Sequence, residues 1–124
     1  MKDIEKVIKH GIFDYDAQSD VLYVYLQGIK YKESIDLGDI IIDIGENGDF
    51  KGIVILDASR KFKLNKYDLK HIKKLIAEIE INPDVIKLKI TISVLKRNKE
   101  IERFTTAKGL NDISLPSGVV CVEC

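Results

Sequence analysis

Residues 40–56 read IIIDIGENGDFKGIVIL, two apolar runs separated by Glu46-Asn47-Gly48-Asp49. Asn-Gly between apolar runs favours a type I′ turn, because both central residues of that turn need positive φ. The segment therefore reads as a β-hairpin of Ile40–Ile44 and Phe50–Leu56. A two-residue loop at Asn47-Gly48 sets Ile44 opposite Lys51, Ile42 opposite Ile53 and Ile40 opposite Ile55. The isoleucines then share one face, as burial of that face requires. The other face pairs Ile41 with Val54 and Asp43 with Gly52.

Upstream the pattern is also that of strands. Tyr31–Leu37 is a polar strand that turns at Gly38-Asp39. Val21–Leu26 places Leu, Tyr and Val on both faces, so a central strand covered on both sides is expected. Ile12–Tyr15 precedes it across Asp16–Asp20, a turn rich in side chains that bond their own backbone. Residues 2–10 read as a short helix, with Ile4, Val7 and Ile8 at i, i+3, i+4 and Gly11 as a left-handed stop. Eight residues are marginal for a helix, so a first strand is the alternative there.

Downstream, Asn65 is an N-cap with Asp68 at the capping-box position. Leu69, Ile72, Ile76 and Ile79 make an apolar stripe, which predicts an amphipathic helix over 66–80, ended by Asn82-Pro83. Val85–Leu95 alternates apolar with polar and predicts a half-buried strand. Arg97-Asn98-Lys99 turns it into Glu100–Thr106, Leu110–Ser117 is loop, and Gly118–Glu123 is a last strand. The expected fold is one α+β domain over residues 1–124. Its antiparallel sheet joins an N-terminal β-meander (12–62) to a C-terminal hairpin, with one main amphipathic helix packed on it (63–124).

The 124 residues carry 20 Lys plus Arg and 20 Asp plus Glu, so the formal charge is zero. A dedicated nucleic-acid binder normally shows a basic excess, which makes nucleic acid an unexpected partner. No apolar run approaches the roughly 20 residues needed to span a bilayer. The start, MKDIEKVIKHG, is charged throughout and lacks a signal peptide's apolar region. A cytoplasmic protein with no membrane partner is expected. The neutrality hides an asymmetry: residues 1–62 hold eight basic and twelve acidic groups, and residues 63–124 hold twelve and eight. Two such halves offer complementary faces, including to another copy of the chain. Seventeen of the 20 basic residues are Lys, and with abundant Ile this fits a thermophile or an AT-rich genome.

Two runs carry a family signature. In FDYDAQSDVLYVYL the residues are Tyr15, Asp16, Asp20, Leu22, Tyr23 and Leu26; in ESIDLGDIIIDIGENGDFKGIVILDASRKF they are Ile53, Ile55, Leu56, Asp57, Ala58 and Ser59. In order and spacing these resemble the small uncharacterised proteins of domain of unknown function 2283, over about residues 12–62. Val54 departs from the pattern, which leads one to expect an acidic residue there. The resemblance implies no established activity. It implies an antitoxin-like role beside small toxin-like proteins.

Three groups of residues invite a chemical reading. Cys121-Val122-Glu123-Cys124 is a C-x-x-C whose thiolates would bind zinc if the backbone formed a knuckle, and a symmetric dimer would then assemble four ligands. A redox dithiol is less apt, because such motifs open a helix whose N-terminus lowers the thiol pKa, and here the sequence ends at the second cysteine. Residues three apart on a strand face opposite ways, so two incidental cysteines are the plainer reading. Asp14, Asp16 and Asp20 superficially suggest a calcium loop, but Ser19 and Tyr25 stand where that loop needs Gly and Glu.

Among Asp36, Asp39, Asp43, Glu46, Asp49 and Asp57, the candidate for acid–base chemistry is Asp57, at the end of an apolar strand. Its ordinary role would be to cap the following turn. No nucleophile–base arrangement accompanies it: His10 and His71 sit among lysines, and no elbow motif surrounds Ser59, Ser93 or Ser117. Arg60, Lys61, Lys63, Lys66, Lys70, Lys73 and Lys74 form a basic segment. On the predicted helix, Lys66, Lys70 and Lys74 align in one stripe that could face a partner's acidic groups or a phosphate backbone, or simply solvent.

The leading expectation is a non-enzymatic protein-interaction or regulatory, antitoxin-like module acting as a homodimer. A sheet apolar on both faces, with one helix to cover it, has more apolar surface than a monomer hides. A small-ligand-binding protein or enzyme built around Asp57 is the alternative, with weak metal or nucleic-acid binding behind it.

Overall fold

The computed structural model describes residues 6–124. The isoleucine-rich hairpin is there, as β5 (Ile40–Gly45) and β6 (Phe50–Ile55). Before it come β1 (Lys6–His10), β2 (Ile12–Asp16), β3 (Val21–Tyr25) and β4 (Tyr31–Asp36). After it come α1 (Ala58–Phe62), α2 (Lys66–Leu69), β7 (Ile72–Ile81), β8 (Val85–Lys96), β9 (Lys99–Leu110) and β10 (Gly118–Glu123). The strands form two five-stranded sheets, ordered β2-β3-β6-β5-β4 and β1-β10-β7-β8-β9. Neighbours are antiparallel except β1, which runs parallel to β10.

One hydrophobic cluster joins the inner faces of both sheets. Leu22, Ile42, Ile53 and Ile55 from the first sheet, and Leu75, Ile86, Ile90 and Ile92 from the second, are at most 1% exposed. At roughly 25 cal/mol per Å² of apolar surface, burial of such side chains is the main term favouring the fold. Phe62 of α1 and Leu69 of α2 plug the same core and are each 1% exposed.

The α+β expectation is corrected by this architecture: strands hold 61% of the described residues and helix 8%. The long helix over 66–80 is absent. Asn65 does cap a helix, its side chain accepting from the Asp68 N–H at 2.8 Å, but α2 stops after one turn. From Leu75 onward the residues also alternate, with Leu75, Ala77 and Ile79 buried and Glu78 and Glu80 exposed. β-Branched isoleucine suits a strand better than a helix. The tertiary context decides between the two periods. As a strand, β7 pairs with β8 on one side and β10 on the other, and as a helix it would leave both ladders open.

Smaller corrections follow the same logic. Residues 6–10 are strand rather than helix, and positions 2–5 of that predicted helix lie outside the described residues. Gly11 is not a left-handed stop; a Cβ there would lie 2.8 Å from Val122 and 3.2 Å from the Tyr25 carbonyl, so close packing is what requires glycine. Val21–Leu26 is covered on one side, since Tyr23 and Tyr25 stand 39% and 37% exposed on the outer face.

The hairpin loop also differs in detail. Gly48 has φ +77° while Asn47 is not left-handed, and the Gly48 N–H donates to the Gly45 carbonyl at 3.0 Å. That is a type I turn followed by a left-handed glycine, the three-residue alternative to a type I′ loop. The pairs Ile40–Ile55 and Ile42–Ile53 stand as read, but a bulge in β6 brings Phe50 rather than Lys51 opposite Ile44. The type I′ loop occurs elsewhere, at Arg97 (φ +53°) and Asn98 (φ +63°), between the paired Lys96 and Lys99.

Candidate functional site

Five of the residues that carry the family signature, Tyr15, Asp16, Asp20, Ala58 and Ser59, meet at one end of the first sheet. Asp20 closes the β2–β3 turn in a left-handed conformation, φ +57°. Its carboxylate accepts from the Tyr15 hydroxyl at 2.7 Å, the Ser59 N–H at 3.0 Å and the Ser59 hydroxyl at 2.6 Å. Its backbone carbonyl accepts from the Ala58 N–H at 3.0 Å. Asp16 holds the same turn from the other side, accepting from the Gln18 N–H at 3.0 Å and the Ser19 hydroxyl at 2.8 Å. The result is a clasp between the β2–β3 turn and the start of α1. Ala58 is completely buried within it.

Electrostatics agree with a structural role. Burial alone would raise the Asp20 pKa, but the hydrogen bonds from Ser59 and Tyr15 outweigh it and hold the carboxyl below its ordinary value. Burial first, and then the Asp20 carboxylate, push the Tyr15 hydroxyl well above its ordinary range. Through its N–H and its hydroxyl, Ser59 is anchored by the Asp20 carboxylate. Asp14, Asp16 and Asp20, the residues of the calcium-like run, are used as strand and turn residues. The signature was legible in sequence; its hydrogen-bonded closure was not.

Asp57 lies beside the clasp but outside its bonding. It is left-handed (φ +52°) and its side chain makes no cap bond to α1. Its carboxylate, 57% exposed, meets the Arg60 guanidinium at 3.1 Å. Arg60 and Lys61 also reach Asp39, at 3.7 and 3.6 Å. The Lys61 ammonium donates to the Leu56 carbonyl as well. Of the other predicted acids, Asp36 takes the Gly38 N–H in a turn, and Asp43 takes the Ser34 hydroxyl at 2.8 Å. Asp49 and Glu46 belong to the β5–β6 turn at the other end of the hairpin. Among the described residues no three His, Cys, Asp or Glu side chains are grouped to hold a metal ion.

The basic segment is dispersed by the loss of the long helix. Lys63 is left-handed after α1, Lys66 is in α2, Lys70 follows it, and Lys74 is on β7. They do not share a helical stripe. The Lys96 ammonium, missed in the sequence, pairs with the buried Asp68 carboxylate at 3.2 Å. Among the histidines, His10 lies on exposed β1 and His71 stacks on Tyr67 with centroids 4.6 Å apart.

Cys121 is buried on β10 opposite Glu78, on the outer face of the second sheet. The ladder continues past β10 through the Cys124 N–H, which donates to the Leu75 carbonyl at 2.9 Å. Cys124 accordingly turns to the inner side and packs against the core. Burial raises both thiols, Cys124 to about 11. The two sulfurs thus lie on opposite faces, both as thiols at neutral pH.

A surface feature that the sequence reading did not single out lies on the outer face of the second sheet. Glu78 and Glu80 of β7 oppose Lys89 and Lys87 of β8, and Thr106 and Lys108 of β9 continue the rows. These residues line a depression of about 750 Å³. Phe104, 61% exposed, stands beside it with the Lys89 ammonium 4.9 Å from its ring centroid. The signal was the strict Glu-x-Glu and Lys-x-Lys alternation, which a helical reading of β7 scatters around the axis.

Comparison with known proteins agrees with the signature. The family model for proteins of unknown function DUF2283 matches residues 12–59. An uncharacterised protein of Methanocaldococcus jannaschii is 47% identical over 110 residues, covering 88% of this chain and 95% of its own. A Methanosarcina mazei protein that carries the name hypoxanthine phosphoribosyltransferase is 44% identical over 111 residues, covering 90% of each. No solved structure matches the chain. The signature and the family model agree over residues 12–59, and the two relatives match about nine-tenths of the chain: the chain belongs to the DUF2283 family of proteins of unknown function.

Proposed function

We propose that the protein is a non-enzymatic interaction module, regulatory and antitoxin-like, that works as a homo-oligomer. The observation that carries this reading is the use made of the signature residues. Tyr15, Asp20, Ala58 and Ser59 are consumed in holding two turns together, which is a role in shape rather than chemistry. Asp57, the alternative catalytic acid, is exposed and ion-paired to Arg60, whereas acid–base carboxyls work best when partly desolvated. Meanwhile Tyr31, Tyr67, Phe104 and Leu110 present 55%, 70%, 61% and 65% of their surface to solvent. Large apolar and aromatic side chains of this kind are enriched in protein interfaces.

The name of the Methanosarcina mazei relative raises phosphoribosyl transfer. Grip on a pyrophosphate is usually built from a glycine-rich loop opening a helix. The helices among the described residues span five and four residues, and neither follows such a loop. We therefore place that activity behind the interaction reading. The test is affinity purification of the tagged chain from its native host with mass spectrometry. Stoichiometric recovery of one protein that also binds the purified chain supports the module. A substrate turned over by the wild type and not by Asp57→Asn contradicts it.

A further inference from the structure

We propose that the free edge of β9 is a self-complementary interface, and that two copies of this chain pair antiparallel there with Phe104 on the two-fold axis. The inference rests on the reading of the protein as a self-associating module and specifies its contact. β9 ends the second sheet, is 12 residues long, and is exposed or half-exposed along its whole length. A long edge without a bulge or proline is a template for another strand.

The register follows from the backbone. Lys96 and Lys99 close a two-residue type I′ loop and are therefore a hydrogen-bonded pair. Antiparallel pairs alternate, so the odd-numbered residues of β9 bond to β8. The Asn111 N–H, which donates to the Asp84 carbonyl at 3.0 Å, continues that ladder. Glu100, Glu102, Phe104, Thr106 and Lys108 consequently turn their N–H and C=O groups to the open edge. Their side chains all lie on the outer face of the sheet, since their β8 partners there are the outward Lys87, Lys89, Thr91, Ser93 and Leu95.

Charge then selects among the alignments. With Phe104 opposite its own copy, Glu102 meets Thr106 and Glu100 meets Lys108, each twice by symmetry. On the inner side Ile101 meets Ala107. Shifting the axis to residue 102 stacks glutamate on glutamate, and shifting it to residue 103 stacks arginine on arginine, which like-charge repulsion disfavours. An axis at residue 105 pairs Glu102 with Lys108 instead but separates the two phenylalanines. The alignment on Phe104 joins the aromatic pair to two opposite-charge pairs and makes one continuous ten-stranded sheet.

The test is sedimentation equilibrium of the full chain over the micromolar range. Glu100→Lys and Lys108→Glu each turn two attractive cross-strand pairs into repulsive ones, and each is expected to weaken the dimer about ten-fold or more. The double variant restores both pairs and returns the affinity to within about three-fold of wild type. Thr106→Pro removes an N–H that faces the open edge and none that faces β8, so it yields a folded monomer with the wild-type far-ultraviolet spectrum. A dimer indifferent to these changes overturns the β9 interface and leaves self-association standing. A double variant that fails to recover overturns the Phe104 register. A wild-type chain that is monomeric throughout overturns both the interface and the homo-oligomer.

Discussion

Replacing Asp20 tests the assignment of the family signature to shape. Its carboxylate accepts three hydrogen bonds, from the Tyr15 hydroxyl and from the N–H and hydroxyl of Ser59. A hydrogen bond to a charged group contributes about 1.5–3 kcal/mol, and three that share one carboxylate do not add. Asp20→Ala also puts alanine at φ +57°, where a Cβ without a compensating side-chain bond costs about 1 kcal/mol. We expect a loss of about 3 kcal/mol, or about 10 °C in Tm for a domain of this size. Asp20→Asn tolerates the left-handed backbone and keeps one acceptor, so it should lose about half as much. Urea unfolding at neutral pH measures both, and a cycle with Ser59→Ala should show coupling of about 1 kcal/mol. A change below about 0.5 kcal/mol for Asp20→Ala, or additivity with Ser59→Ala, would refute the clasp.

The pH dependence gives the same test a second axis. The Asp20 carboxyl is held below its ordinary value of 3.8, so its contribution is complete above about pH 4 and vanishes as pH falls through the folded value. The Tyr15 hydroxyl is held above its ordinary value of 10.0, so its contribution is complete below that and is lost as pH rises further. Asp20→Asn should flatten the acid limb, and Tyr15→Phe the alkaline one.

Three further outcomes can be measured independently. A Cβ on Gly52 would lie 2.6 Å from the Val24 carbonyl oxygen, on a strand that cannot yield, so Gly52→Ala should cost at least about 2 kcal/mol in urea unfolding; a neutral result would mean the β3–β6 spacing is wrong. The Ser93 hydroxyl is buried with no hydrogen-bond partner among the described residues, so Ser93→Ala should be neutral or stabilise by up to about 1 kcal/mol in the same assay. With sulfurs on opposite faces and raised thiol pKa values, Cys121 and Cys124 should react with a thiol reagent at pH 8 far more slowly in the native protein than in urea. Equal rates, or one zinc per chain or per dimer after purification without added metal, would contradict that placement.

How much of this was legible in the sequence depended on whether one period was offered or two. Residues 40–56 admit a single reading, because alternating isoleucines around Asn-Gly fit a strand pair and no helix. Residues 66–80 offer both. Leu69, Ile72, Ile76 and Ile79 satisfy a helix, and Leu75, Ala77, Ile79 and Ile81 satisfy a strand. Hydrogen bonding with β8 and β10, which lie later in the chain, decides between them. Everything built on the helical choice moved with it, including the Lys66, Lys70 and Lys74 stripe and the single-layer sheet. The clasp shows the opposite case. Tyr15, Asp16, Asp20, Ala58 and Ser59 could be named in advance, but the contact between Asp20 and Ser59 spans 39 positions and needs the β3–β6 register to bring it about.

Light scattering of the full chain tests the proposed self-association most directly. From low to high micromolar concentration the expected species has twice the 14.1 kDa chain mass, shifted toward one chain mass by Glu100→Lys. A mass of 14.1 kDa at every concentration would contradict it.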